Sequence, residues 1–138
     1  MHERKKSEEW IVMRYFREKY ELFPKGKLVK SESPDFILKV NRRKQIGIEL
    51  TRFDHLAAGK SGGNEVIHQL KKLITQKEDK LRIYQKKLLN EYWLIISVES
   101  LDVTLEIKDT TAPGSIFTST FDKVFFFDLF SASIIQLR

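Results

Sequence analysis

Between Ser31 and Phe53 the chain carries two short runs of period-two hydrophobic alternation separated by a basic tetrapeptide, and few folds accept that pattern. In the first run Phe36, Leu38 and Val40 alternate with Asp35, Ile37 and Lys39; in the second Ile46, Ile48 and Leu50 alternate with Gly47, Glu49 and Thr51. Such alternation specifies strands, because successive side chains of an extended chain point to opposite faces. Asn41-Arg42-Arg43-Lys44 is a polar turn between them. Ile46, Ile48 and Leu50 therefore share one face, and Glu49 and Thr51 share the other. Pro34 has no N–H to give to a ladder, which suits the start of an edge-like strand and sets Asp35 where pairing begins. Two carboxylates are expected to converge from neighbouring strands.

A carboxylate on a strand otherwise made of Ile, Gly, Ile and Leu is costly to bury unless its charge is compensated. A hard divalent cation would compensate it, since Mg²⁺ takes one or two protein carboxylates and fills its other positions with water and phosphate oxygens. The competing reading is that Asp35 caps a turn and Glu49 faces solvent from a half-wet sheet.

Pro34-Asp35, followed at the end of an apolar strand by Glu49-Leu50-Thr51, resembles the PD-(D/E)XK nuclease superfamily. That pattern is Pro-Asp, a hairpin, then Asp or Glu, any residue, and Lys. Both acids match, and Thr51 stands where the pattern has Lys. The resemblance implies a restriction-endonuclease-like α/β fold, a mixed sheet flanked by helices with an α-β-β-β-α-β core. It implies a metal-dependent phosphodiesterase acting on DNA, with RNA the second choice. Asp35 and Glu49 would hold Mg²⁺ or Mn²⁺, with the Leu50 carbonyl as a further ligand. Members of the superfamily commonly add an acid from the first helix, which maps onto Glu9. Some supply the motif lysine from the helix after the hairpin and others use a glutamine near its start, so Lys77, Lys72 and Gln69 all stand as replacements for what Thr51 lacks. Nucleases of this fold often act as dimers, so a homodimer is a further expectation. The alternative is a catalytically inactive module of the same fold that binds nucleic acid or joins a complex.

At 138 residues the chain is expected to form one domain, residues 1–138. Its 25 Lys and Arg against 19 Asp and Glu leave a net charge of +6, a balance that favours polyanionic partners through counterion release. Without cysteine, disulfides and thiolate metal sites are excluded. No apolar run is long enough to span a membrane and no apolar signal region follows the first residues, so a cytoplasmic protein without membrane partners is expected.

Ser7 to about Phe23 reads as an amphipathic helix with Ser7 as N-cap and Pro24-Lys25-Gly26 as its stop. Val12, Met13, Phe16, Tyr20 and Phe23 fall on one side, and Glu9 projects into that stripe. Either Glu9 answers the helix dipole or it serves a site. Asn64 to Asn90 is the longest helix expected, with Val66, Leu70, Leu73, Ile74, Leu81, Tyr84 and Leu88 on its apolar side and Lys77 inside that stripe. Lys77 either snorkels to water or faces the site. Within the loop from Asp54 to Asn64, Gly59-Lys60-Ser61 matches the end of a phosphate-binding loop motif, but Asp54 occupies the place of that motif's first glycine. His2, His55 and His68 are too dispersed for a zinc site, and His55 remains an auxiliary proton carrier by position alone. Tyr92 to Val98 and Lys123 to Leu129 are nearly continuous apolar runs, the mark of strands covered on both faces. Leu101 to Ile107 alternates weakly, Asp109 to Thr120 reads as loop or short helix, and Ser131 to Leu137 as edge strand or terminal helix.

Overall fold

Alternation in sequence becomes alternation in burial over residues 36–39, while residues 46–49 are buried throughout. The computed structural model describes residues 2–54, 63–84, 89–110 and 117–138, and in it β1 (Lys27–Lys30), β2 (Phe36–Lys39) and β3 (Gln45–Arg52) form a meander. The Asn41 side chain accepts from the N–H groups of Arg43 and Lys44, closing the turn between β2 and β3. Phe36, Leu38, Ile46 and Ile48 are fully buried on one face.

Strand β3 then pairs in parallel with β4 (Glu91–Val98), β4 in parallel with β5 (Lys123–Asp128), and β5 antiparallel with β6 (Ile134–Gln136). The result is a six-stranded mixed sheet in the order β1 to β6, with every strand beside its neighbour in sequence. Parallel neighbours need a crossover, and α2 (Gly63–Tyr84) and α3 (Leu101–Thr110) supply the two. Helix α1 (His2–Lys19) covers the opposite face. These three helices among the described residues make an α/β architecture.

Because β4 and β5 are sandwiched, both of their faces are apolar. Tyr92, Leu94, Ile96, Val98, Val124 and Phe126 pack under α2 and α3. Trp93, Ile95, Phe125 and Phe127 pack under α1. There Phe16 meets Phe125 and Phe127 edge-on at centroid distances of 5.1 and 5.5 Å, worth about 0.5–1.5 kcal/mol per pair beyond area burial.

Several boundaries differ from expectation. Helix α1 starts at His2, so Ser7 lies inside it and caps nothing; it ends at Lys19, where Tyr20 N–H donates to the Phe16 carbonyl and Phe23 N–H to that of Tyr20. Helix α2 starts at Gly63, so Asn64 lies within its first turn. The end of that helix lies outside the described residues, and Asn90 exchanges hydrogen bonds with the Gln45 backbone at the start of the β3–β4 pair. The weakly alternating run after Val98 is helix α3, capped by Ser100, whose Oγ accepts from Val103 N–H; Val103 and Ile107 bury one side of it. Of the two readings for Ser131 to Leu137, the strand is found, in β6. His55, the Gly59-Lys60-Ser61 segment and Leu88 lie outside the described residues, and no helix among those described is long and apolar enough to cross a membrane.

Candidate active site

The β2–β3 register decides where the two acids go. Phe36 lies opposite Ile48 and Ile37 opposite Gly47; carried one residue beyond the ladder, the same register sets Asp35 opposite Glu49 on one face of the sheet. The two carboxyl groups are within hydrogen-bonding reach of each other. Strand β2 ends there while β3 continues, so Leu50 has no backbone partner on that side. The Asp35 carboxylate takes the place of the missing residue, its Oδ2 accepting from Leu50 N–H at 2.8 Å. In an extended strand the N–H and C=O of one residue point to the same edge, so the Leu50 carbonyl also faces the Asp35 side.

Helix α1 crosses the other face and brings Glu9 to the Asp35 side chain, both lining one cleft. Glu9 is held in turn by Lys30, whose ammonium lies 3.4 Å from Oε1 and donates to the Ser31 and Asp35 carbonyls. Burial, together with the hydrogen bond and charge of Glu49, pushes the Asp35 carboxyl up to about 6 against the pull of Leu50 N–H. Burial and the neighbouring Asp35 raise Glu9 as well, with Lys30 opposing.

Helix α2 supplies the cation. Leu70, Ile74 and Leu81 of its stripe are buried, and Lys77 occupies the same stripe between Ile74 and Leu81. At that position in the core stands Glu49, itself 7 % exposed, with its Oε2 3.7 Å from the Lys77 ammonium. An apolar helix face thus delivers its one internal charge to the one internal charge of β3.

A cleft of about 340 Å³ opens here, lined by Glu9, Asp35, Glu49, Leu50, Lys77 and Lys80, with Lys5 at its margin. Of the residues singled out in the sequence, Glu9, Asp35, Glu49, Leu50 and Lys77 are brought together. Thr51 and Gln69 are not among those lining it. Thr51 borders a separate cavity beside Ser97 and Val98, and Gln69 spends its amide on Glu65 one turn back, at 2.9 Å. Lys72 is exposed on another side of α2. Sequence reasoning missed Lys5, Lys30 and Lys80. Nothing in their local pattern sets them apart from other surface lysines, and only the packing of α1 and α2 on the hairpin brings them here. The other fully buried acid, Asp128, belongs to the β5–β6 turn, where it accepts from Phe130 N–H and the Ser131 hydroxyl.

Two neighbouring carboxyl groups beside a backbone carbonyl are an oxygen-donor set suited to a hard dication. Among the described residues no group of three or more His, Cys, Asp and Glu side chains is spaced to hold a metal ion, so such an ion would rest on the Asp35–Glu49 pair, with water or substrate oxygens completing its shell. No protein-family model, curated protein or solved structure matches this chain.

Proposed function

We propose that the chain is a metal-dependent phosphodiesterase of restriction-endonuclease-like fold that cleaves DNA in the cleft between β2, β3 and α2. The observation that carries this reading is the meeting of Asp35, Glu49 and Lys77, which lie far apart along the chain, at one partly open point. Asp35 and Glu49 would hold Mg²⁺ or Mn²⁺ with the Leu50 carbonyl. Bound there, the dication supplies Lewis acidity at a phosphodiester and acidifies water. Lys77 then fills the place Thr51 leaves vacant, its fixed ammonium offsetting charge as it grows on the phosphate oxygens. Glu9 and Lys30 hold Asp35 in position from the α1 side.

A second reading has its own observation. Lys77 and Lys30 already neutralise Glu49 and Glu9, so the cluster can stand without a metal as the polar centre of an inactive nucleic-acid-binding module. Nicking of a supercoiled plasmid with Mg²⁺ or Mn²⁺, measured for the wild type and for Asp35→Asn, Glu49→Gln and Lys77→Met, separates the two. The enzyme reading expects metal-dependent nicking that falls by at least about 100-fold in each variant, the scale on which loss of one charge-stabilising group acts. Absence of nicking in the wild type with either metal, together with retained binding of the same DNA in EDTA, would favour the binding module instead.

A further inference from the structure

At the far end of the same hairpin the strand register does something unfavourable. Lys27 of β1 lies directly opposite Lys39 of β2, both exposed, and like charges so placed destabilise a pair of strands. The arrangement is built in by Gly26: a Cβ on that residue would stand 2.5 Å from the Lys39 carbonyl oxygen and 3.0 Å from Val40 Cα. Only the bare backbone of glycine lets the chain lie this close, and it brings Lys27 beside the β2–β3 turn. That turn adds Arg42 and Arg43, both exposed, on the Asx-turn that Asn41 closes. The neighbouring Lys44 is paired with an acid, Glu91 at 3.0 Å.

The face matters as much as the charge. Directly opposite residues share a face, so the register stacks Lys27, Lys39 and Gln45 in one row and Val29, Ile37 and Gly47 in the next. Asp35 and Glu49 form the third row. Lys27 and Lys39 therefore share the face of the acid pair, and Arg42 and Arg43 stand exposed on the turn just beyond them. Four strand residues separate Lys39 from Asp35, about 13 Å at about 3.3 Å per residue, or about four nucleotide steps of a duplex at about 3.4 Å each. Among the described residues the cationic end shows no exposed aromatic side chain, and Phe130, the only strongly exposed aromatic among them, stands at the other end of the sheet order in the β5–β6 turn. Single strands are gripped by stacking bases on aromatics, whereas a duplex presents phosphates outward.

We infer that Lys27, Lys39, Arg42 and Arg43 form a phosphate-binding surface for duplex DNA that lays the backbone along the hairpin towards the Asp35–Glu49 cleft. This rests on the phosphodiesterase reading for its substrate class. The like-charge row is unfavourable in the free protein and is relieved when phosphates lie across it.

The test is binding of a fluorescent duplex to the full chain in EDTA, with salt varied between about 50 and 200 mM. In the variant Lys27→Gln/Lys39→Gln/Arg42→Gln/Arg43→Gln the slope of log Kd against log salt becomes shallower by about 3 to 4, at about 0.9 for each phosphate no longer neutralised. Lys27→Arg/Lys39→Arg keeps the wild-type slope, and circular dichroism shows the neutralised variant folded. An unchanged slope with the duplex still bound overturns the inference. So does a neutralised variant that self-associates at unchanged slope, since the lysines would then only guard the β1 edge against other strands. A wild type that binds no duplex at low salt overturns it too, and plasmid nicking by that protein would still decide the catalytic reading. Binding through this surface without nicking leaves the inference standing and removes the enzyme.

Discussion

Asp35 ionises near pH 6 instead of near 3.8, and the sign of its effect on stability follows. A carboxyl whose value is raised on folding contributes stability that is complete below pH 3.8 and is lost as pH rises through about 6. The metal-free protein should therefore lose stability across that interval, and Glu9, raised for similar reasons, acts in the same direction. Asp35→Asn keeps an acceptor for Leu50 N–H and removes the charge. Urea denaturation in EDTA at pH 7.5 is expected to show this variant about 1–2 kcal/mol more stable than the wild type, and a flatter profile below pH 6. A variant less stable than wild type at pH 7.5 would show that the Asp35 charge is already compensated in the free protein. Lys77 makes the opposite prediction: Lys77→Met removes the partner of a buried carboxylate and should cost about 1–3 kcal/mol. Adding Glu49→Gln should return most of that loss, which a double-mutant cycle measures directly.

At the scale of elements, the hairpin was legible and the reason is arithmetic. Alternation fixed the inward residues of β2 and β3, a four-residue turn fixed their register, and the register fixed Asp35 against Glu49. Lys77 was legible for a related reason, since a lysine at a buried angle of a long helix needs an explanation. Helix α3 was not, because with Leu101 and Leu105 exposed beside buried Val103 and Ile107 its apolar residues fit a strand period as well as a helical one. Ser100 was the overlooked signal. Lys30 was beyond reach, because its role depends on α1 arriving from another part of the chain. Gly47 offers a test of how tightly these elements hold the site. A Cβ there would lie 2.7 Å from Leu89 Cδ1 and 2.8 Å from Pro34 Cγ, so Gly47→Ala must displace the residue that precedes Asp35. Thermal denaturation should register a loss of about 1–3 kcal/mol, and divalent-ion affinity should fall with it.

For the molecule as a whole, a dication held by the acid pair would make folding and metal binding two readings of one equilibrium. At pH 8 Asp35 should be charged in the free protein, so Mn²⁺ at about 100 times its Kd is expected to add about 2.7 kcal/mol to unfolding. At pH 5, where Asp35 holds its proton, the same ion should add much less, and equal shifts in melting temperature at the two pH values would place binding elsewhere. The Asp35–Leu50 hydrogen bond has a bearing on how kindred sequences should be judged. Asp35 doubles as a rung of the sheet, filling a gap that would open in β3 whether or not any reaction took place. A descendant that had abandoned catalysis would still have cause to retain it. Glu49 and Lys77 carry no such duty to the ladder, so their joint survival or joint loss, and not the persistence of Asp35, would mark which lineages still perform chemistry.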